Sequence, residues 1–388
     1  MKRVLILGGG FAGVEAAIEA TKAGYEVDLV SPRSYMYIYP ISIWVPFEKA
    51  DFDSLCISME ELASVYGFNW ISDEIVSIDA KKASATGKKR EYGGDYIIVA
   101  FGASKLESVK KENFLSICSE PGEILKIKEA IKKLIEKGEG KIAVGFGGNP
   151  KDTTAVRGGP AFEFVFNLHN YLKKLGIRDR FELTFFAPMK EPGKRLGPQA
   201  LKMMDMFFNR LHIKRVFGKK IKSFEPEGVL FEDDRLLESD FTMFIPALTG
   251  HRAAKNGDLP LSDSGFILVD KWCRVQGYEN IYAAGDCAYL EGPAWRAKQG
   301  HIAEVMAKNA VHNIAVFSGE KRGKPKSYLE HLNIMCVMDS GDGAAFVYRD
   351  DKRGVMVPMP VVGHWLKKGW GWYCKNSKLN KIPRIPGL

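Results

Sequence analysis

The sequence predicts an α/β protein of two Rossmann-like (doubly wound) domains, one inserted in the other, followed by a small C-terminal domain. Three observations lead there: a glycine-rich turn directly after an N-terminal apolar strand, a second strand ending in Gly-Asp most of the chain later, and a separate strand–helix–strand unit between them. Residues 4–7 are apolar and run into GGGFAG at 8–13, after which 14–23 reads as a helix. In such a turn Gly8 permits the tight bend, Gly10 lets the backbone approach a pyrophosphate, and Gly13 lets the helix pack on the strand. The helix start, with Phe11 and Ala12, offers unpaired N–H groups and positive partial charge to the phosphates. The second strand, 26–30, ends at Ser31 where a carboxylate is usual, so a ribose hydroxyl there meets a weaker partner.

Far along the chain, an apolar strand at 281–284 delivers Gly285 and Asp286 to what reads as the start of another helix. An Asp at that place accepts hydrogen bonds from a sugar-alcohol chain, which suits the ribityl group of FAD rather than NAD. A third apolar strand, 96–100, ends in Ala100 and reaches Gly102, where close backbone approach to the same cofactor is expected.

Composition narrows the class. A chain of 388 residues can hold two or three well-filled domains, and its apolar and charged fractions are those of an ordinary soluble protein. Without a run of 18 apolar residues no transmembrane helix is expected. The N-terminus enters a core strand at Val4, leaving no room for a signal peptide, so synthesis in the cytoplasm is expected. The six cysteines form no CxxC and no metal-ligand spacing with His, so each is by default a small buried apolar residue. The net charge of +9 is concentrated at the end: residues 352–388 carry eight Lys or Arg and no Asp or Glu. Trp365, Trp370, Trp372 and Tyr373 stand among those lysines. This mixture suits the interface of an anionic bilayer, where each nearby cation is worth about 1 kcal/mol. It equally suits a basic helix that packs its aromatics on the body of its own protein. No nucleic-acid recognition motif accompanies the charge.

The organisation follows. Residues 1–115 and 264–320 are expected to form the FAD domain, 116–263 a second Rossmann-like domain, and 321–388 a smaller C-terminal region whose basic aromatic composition suits a membrane surface. In the first, a short helix at 58–66 precedes a strand over 69–78, and a long helix is expected at 299–316. In the second, a charged amphipathic helix at 123–137 leads to a strand at 141–146, a helix at 161–174, a strand at 181–187 and a helix at 201–211. Between the strand and helix of that unit lies the loop 149–160, with two prolines. A pyrophosphate needs the helix N-terminus directly behind the strand, so NAD(P)H binding is expected to be lost here; a rearranged loop that still takes NADH is the alternative.

Three segments together resemble the sulfide:quinone oxidoreductases, within the flavoproteins with two dinucleotide-binding domains. They are the aromatic and proline loop SPRSYMYIYPISIWV at 31–45, GPAFEF at 159–164, and MCVMDSGDGAAF at 335–346 followed by HWLK at 364–367. The resemblance implies FAD on one face of which redox cysteines oxidise sulfide, while a membrane quinone is reduced at the other. It implies flavin contacts from Pro32, Arg33 and Pro40 of the loop and from Lys298. It places Cys336 on the catalytic cysteine, Glu163 on a proton-relaying glutamate, and Lys367 and Trp370 in the quinone pocket. A thiolate at Cys336 would need its pKa lowered by a nearby cation. Bland readings stand beside these: a buried core cysteine, and a carboxylate at a helix start. Arg157 replaces the second redox cysteine, so Cys336 is expected to work alone or with Cys118, which aligns with a third cysteine of some members. Arg157 itself would lower the pKa of Cys336 or hold an anionic sulfur substrate. The FAD is expected to be non-covalent, since residues 32–46 contain no cysteine. The partners implied are quinone, a small sulfur substrate and the membrane surface, the last defining a peripheral membrane protein. A homo-oligomer is compatible with all of this. A type II NADH:quinone oxidoreductase relative and a non-catalytic flavin redox sensor are the other readings.

Overall fold

The computed structural model describes residues 1–107 and 111–384. Residues 108–110 of the expected first segment and 385–388 of the expected C-terminal region lie outside the described residues.

The first domain is a five-stranded parallel sheet in the order Ile281–Ala283, Tyr96–Val99, Arg3–Leu7, Glu26–Val30, Asn69–Ile71. Val4, Leu5, Ile6 and Leu7 are wholly buried because both faces of a parallel sheet are covered. The helices Phe11–Lys22 and Gly300–Phe317 pack on each other against it. The C-terminal strand Ile281–Ala283 completes this sheet from most of the chain away, as the insertion architecture requires. The single strand expected over 69–78 is instead two: Asn69–Ile71 in the main sheet and Ile75–Asp79 in a separate antiparallel sheet with Ser84–Gly87 and Glu91–Gly93. The break sits at Asp73, whose buried carboxylate accepts from Tyr92 Oη at 2.7 Å and the Lys89 amide at 3.1 Å, ties that a continuous strand would not allow.

The second domain carries a four-stranded parallel sheet in the order Lys214–Phe217, Phe181–Ala187, Gly140–Phe146, Phe241–Ile245. The amphipathic helix Glu123–Lys137 buries Ile124, Ile127, Ile131 and Leu134, an i, i+3/i+4 stripe. The next helix, Gly159–Lys174, starts two residues earlier than expected. Pro160 in its first turn explains this, since a fixed φ and a missing N–H suit that position.

The C-terminal part is an antiparallel sheet, Ile334–Asp339, Gly343–Arg349 and Gly354–Pro360, covered by the helix Val362–Lys378. Gly363, Lys367, Gly371, Cys374 and Lys378 form that helix's buried stripe. A Cβ on Gly371 would stand 2.8 Å from Ile41 Cδ1, so glycine there lets the helix lie against Tyr39–Ser42 of the aromatic loop. Its far end is pinned by charge. The buried Lys378 ammonium reaches both Glu15 of the first helix and, at 2.7 Å, Glu304 of the Gly300–Phe317 helix, and Arg384 adds bonds to Glu15 and Glu19. No helix of the described residues is long and apolar enough to cross a membrane.

Candidate active site

The glycine turn has the constraints expected of it. Gly8 has φ +120°, and a Cβ there would lie 2.5 Å from the Ala100 carbonyl oxygen. A Cβ on Gly13 would collide with the Gly8 carbonyl, whereas one on Gly10 would meet nothing within 4 Å. The first turn of the helix is thus locked to the strand while the backbone at Gly10 stays open to a phosphate. Gly102, at φ +79°, continues the neighbouring strand end past Ala100.

Gly285 and Asp286 do not enter a long helix as expected. They form one 3-10 turn, Gly285–Cys287, and the helix begins only at Gly300. Space repairs the separation in sequence. A Cβ on Gly285 (φ +79°) would lie 3.1 Å from Ala12 Cβ and 3.2 Å from Ala303 Cβ, so Asp286 stands where the first turns of both helices converge. Lys298 sits just before the second of these, donating to the Ala288 carbonyl with its ammonium 4.0 Å over the Phe266 ring. Burial pulls its pKa down to about 8 against the charge of Asp286. Gln299 stands at the start of that helix without capping it: its Nε2 lies 3.3 Å from the Met335 carbonyl, and its buried Oε1 has no partner among the described residues. An open glycine backbone, two converging helix starts, a carboxylate and an unpartnered acceptor fit a bound flavin dinucleotide.

Ser31 is buried and its hydroxyl is engaged by the protein, donating to Arg33 O and accepting from Trp70 Nε1, both at 3.2 Å. The expected ribose bond would have to compete with these. Pro32 follows it in the loop. Arg33 donates to Tyr39 Oη at 3.2 Å, and Tyr39 Oη in turn to the Ser119 carbonyl, so the aromatic loop is tied to the Cys118 segment. Pro40 stands in the first turn of the short helix Tyr39–Ser42.

Arg157 is not where it was expected to act. Its guanidinium pairs with Asp286 and lies near Lys105 and Arg195, and Cys336 is not among the groups that act most on it. Asp286 is accordingly held below the usual carboxylate range: burial pushes it up, but Arg157 and Lys298 outweigh that. All six cysteines are free thiols; Cys118 is buried and Cys336 half-buried.

Cys336 stands on the first strand of the C-terminal sheet, opposite Val347. Its expected low pKa is corrected by the structure: burial and the neighbouring Glu163 push the thiol up to about 12, against Lys367 and Arg195. Glu163, on the first turns of the Gly159–Lys174 helix, takes a charge-assisted bond from Lys367 of the C-terminal helix, both side chains being nearly inaccessible. Burial nonetheless lifts the Glu163 carboxyl to about 7. The residues assigned separately to sulfur chemistry, proton relay and quinone pocket are therefore one cluster, where a thiol, a half-ionised carboxylate and an ammonium can exchange a proton. Trp370, one turn beyond Lys367, is half-buried against the core.

Two residues of this site were missed. Asp339, wholly buried, accepts from His364 Nδ1 at 2.7 Å, Trp44 Nε1 at 3.2 Å and the Gly341 amide at 2.9 Å. It locks the strand of Cys336 to the C-terminal helix, and a charged residue closing an apolar strand was the available signal. Arg195, the cation facing Cys336, donates to the Thr154 and Val156 carbonyls and had no sequence signal.

Comparison with known proteins bears on the family and the fold. Residues 2–311 match the family model described as pyridine nucleotide-disulphide oxidoreductase. Sulfide-quinone reductase of Aquifex aeolicus (strain VF5) is 27% identical, over 97% of this chain and 92% of that protein. The crystal structure of the sulfide:quinone oxidoreductase of Aquifex aeolicus superposes with a TM-score of 0.86 at 22% identity, covering 98% of this chain and 92% of that one. The internal alternative NAD(P)H-ubiquinone oxidoreductase A1 of Arabidopsis thaliana is 24% identical, over 74% of this chain and 62% of its own length.

Proposed function

We propose, from the premise that the chain belongs to the pyridine nucleotide-disulphide oxidoreductase family, that this oxidoreductase binds FAD and carries electrons from sulfide or a related sulfur compound through Cys336 to membrane quinone. The observation that supports this reading is the Cys336–Glu163–Lys367 cluster, in which a thiol lies near a carboxylate able to take its proton.

With its thiol at about 12, roughly one Cys336 in 10⁵ is ionised at neutral pH, so the reaction needs a base. Glu163, at about 7, is half ionised there and can take the proton. The transfer is uphill, but part of what raises the thiol is the Glu163 charge itself, which the transfer removes. FAD, when bound, supplies the two-electron acceptor. Lys367 holds the Glu163 carboxylate and steadies its charge; with Trp370 it borders the place proposed for the quinone. Trp365 and Trp372 are each 62% exposed, with Lys368 lying 5.3 Å over the Trp365 ring. Such an outward aromatic and basic face suits a bilayer surface and supports a peripheral attachment.

A second reading, oxidation of NADH, is favoured by the intact parallel sheet of the second domain and by the Arabidopsis thaliana relative. Against it stands the loop between Phe146 and Gly159, tied to its surroundings by Asn149, which donates to the Leu248 carbonyl, and by Asp152, which accepts from Ser264 Oγ, and not presenting a helix start behind the strand. Anaerobic mixing of the FAD-loaded protein with sulfide, and separately with NADH, distinguishes them. Sulfide should bleach the flavin and an added quinone restore its colour. Bleaching by NADH alone would overturn the proposal.

A further inference from the structure

Position 157 brings a cation to the glycine turn at Gly285–Asp286. Arg157 is presented by a pinned loop. Arg195 holds the carbonyls before it, Val156 O at 2.6 Å and Thr154 O at 3.3 Å. After it, a Cβ on Gly158 would lie 2.7 Å from Phe146 Cζ, so the chain is pressed against the core strand. The guanidinium then meets Asp286 at the point where the first turns of two helices converge. Two further cations, Lys298 and Lys105, act on the same carboxylate. The Lys105 side chain lies near both Asp286 and Arg157. Three cations about one carboxylate leave an excess of positive charge at a place built for an anionic cofactor. A guanidinium keeps its charge at any working pH, and positive charge held in place stabilises negative charge that develops next to it.

We propose that Arg157 is a redox-tuning residue: fixed on Asp286, its guanidinium stabilises the negative charge of the reduced flavin and raises the cofactor's reduction potential. This rests on the reading that FAD occupies the turn, and it is independent of the electron donor.

The test is the two-electron potential of the FAD-loaded protein, equilibrated with reference dyes, in wild type, Arg157→Gln and Arg157→Lys. Arg157→Gln should disfavour the reduced form at least tenfold, roughly 30 mV for this couple. Arg157→Lys should recover most of the shift, which a merely structural role would not predict. A change below threefold in Arg157→Gln, about 14 mV, would overturn the proposal. So would weaker FAD binding with an unchanged potential, which would make Arg157 a cofactor-holding residue only. The shift without any reduction by sulfide would sustain it and overturn the donor instead. A wild-type chain that takes up no FAD would overturn both.

Discussion

Replacing Lys367 with Met leaves Glu163 buried without its cation, and the consequence is a change in how stability depends on pH. Burial already lifts the Glu163 carboxyl from 4.5 to about 7, against the charge and hydrogen bond of Lys367. A raised pKa means that the folded protein binds more protons than the unfolded chain between the two values. Stability therefore falls as pH rises through that window and is flat above it. In the wild type the window runs from 4.5 to about 7 and removes about 3 kcal/mol. With Lys367 gone it extends upward, each further unit removing about 1.4 kcal/mol. The ceiling is the roughly 3–5 kcal/mol of a broken buried pair. Urea midpoints at constant slope, measured at intervals from about pH 6 to about pH 9, read this directly. Lys367→Met should keep losing stability above neutral pH, and Lys367→Met combined with Glu163→Gln should not. A Lys367→Met curve parallel to the wild type above pH 7 would refute the coupling of the two side chains.

Glu163→Gln removes the proposed base, so its rate of flavin reduction by sulfide should lose the component that rises through about pH 7. Because ionisation of sulfide itself contributes equally to both proteins, the difference between their pH profiles in stopped-flow mixing isolates Glu163. Trp365→Ala with Trp372→Ala should weaken sedimentation with anionic vesicles, and Lys368→Glu should weaken it further by a factor of about five or more, the equivalent of at least 1 kcal/mol. Unchanged binding would assign the C-terminal helix to packing alone. Lys378→Met leaves Glu15 and Glu304 buried without their ammonium. It should lower the thermal midpoint as expected for a loss of roughly 3–5 kcal/mol, and Lys378→Arg should recover part of it.

What could be read from the chain beforehand depends on the range of the forces involved. The turn at Gly8–Gly13 was legible because its main constraints are local: a positive φ at Gly8, and at Gly13 a Cβ that would strike the Gly8 carbonyl. The helix Glu123–Lys137 was legible from its apolar stripe, down to its boundaries. The strand over 69–78 was misread because the ties of Asp73 to Tyr92 and Lys89 come from 16 residues or more away. In the site, Cys336, Glu163 and Lys367 were each named by resemblance. Their union in one cluster depends on contacts across 204 positions in sequence and could not be seen there. Arg157 was recognised as a departure, yet its partner was misjudged, since nothing local marks Asp286, 129 residues on, as the carboxylate it meets. The thiol of Cys336 was expected to be acidified by a cation. Desolvation outweighs Lys367 and Arg195 instead, and burial depth is the quantity a sequence conveys least.

The central claim is that electrons reach the flavin through Cys336. Single-turnover reduction of the FAD-loaded protein by sulfide, wild type against Cys336→Ala, tests it most directly. Rapid bleaching in the wild type and its loss in Cys336→Ala, with FAD content and reduction by dithionite unchanged, is the predicted result. Bleaching of Cys336→Ala by sulfide at the wild-type rate would contradict it.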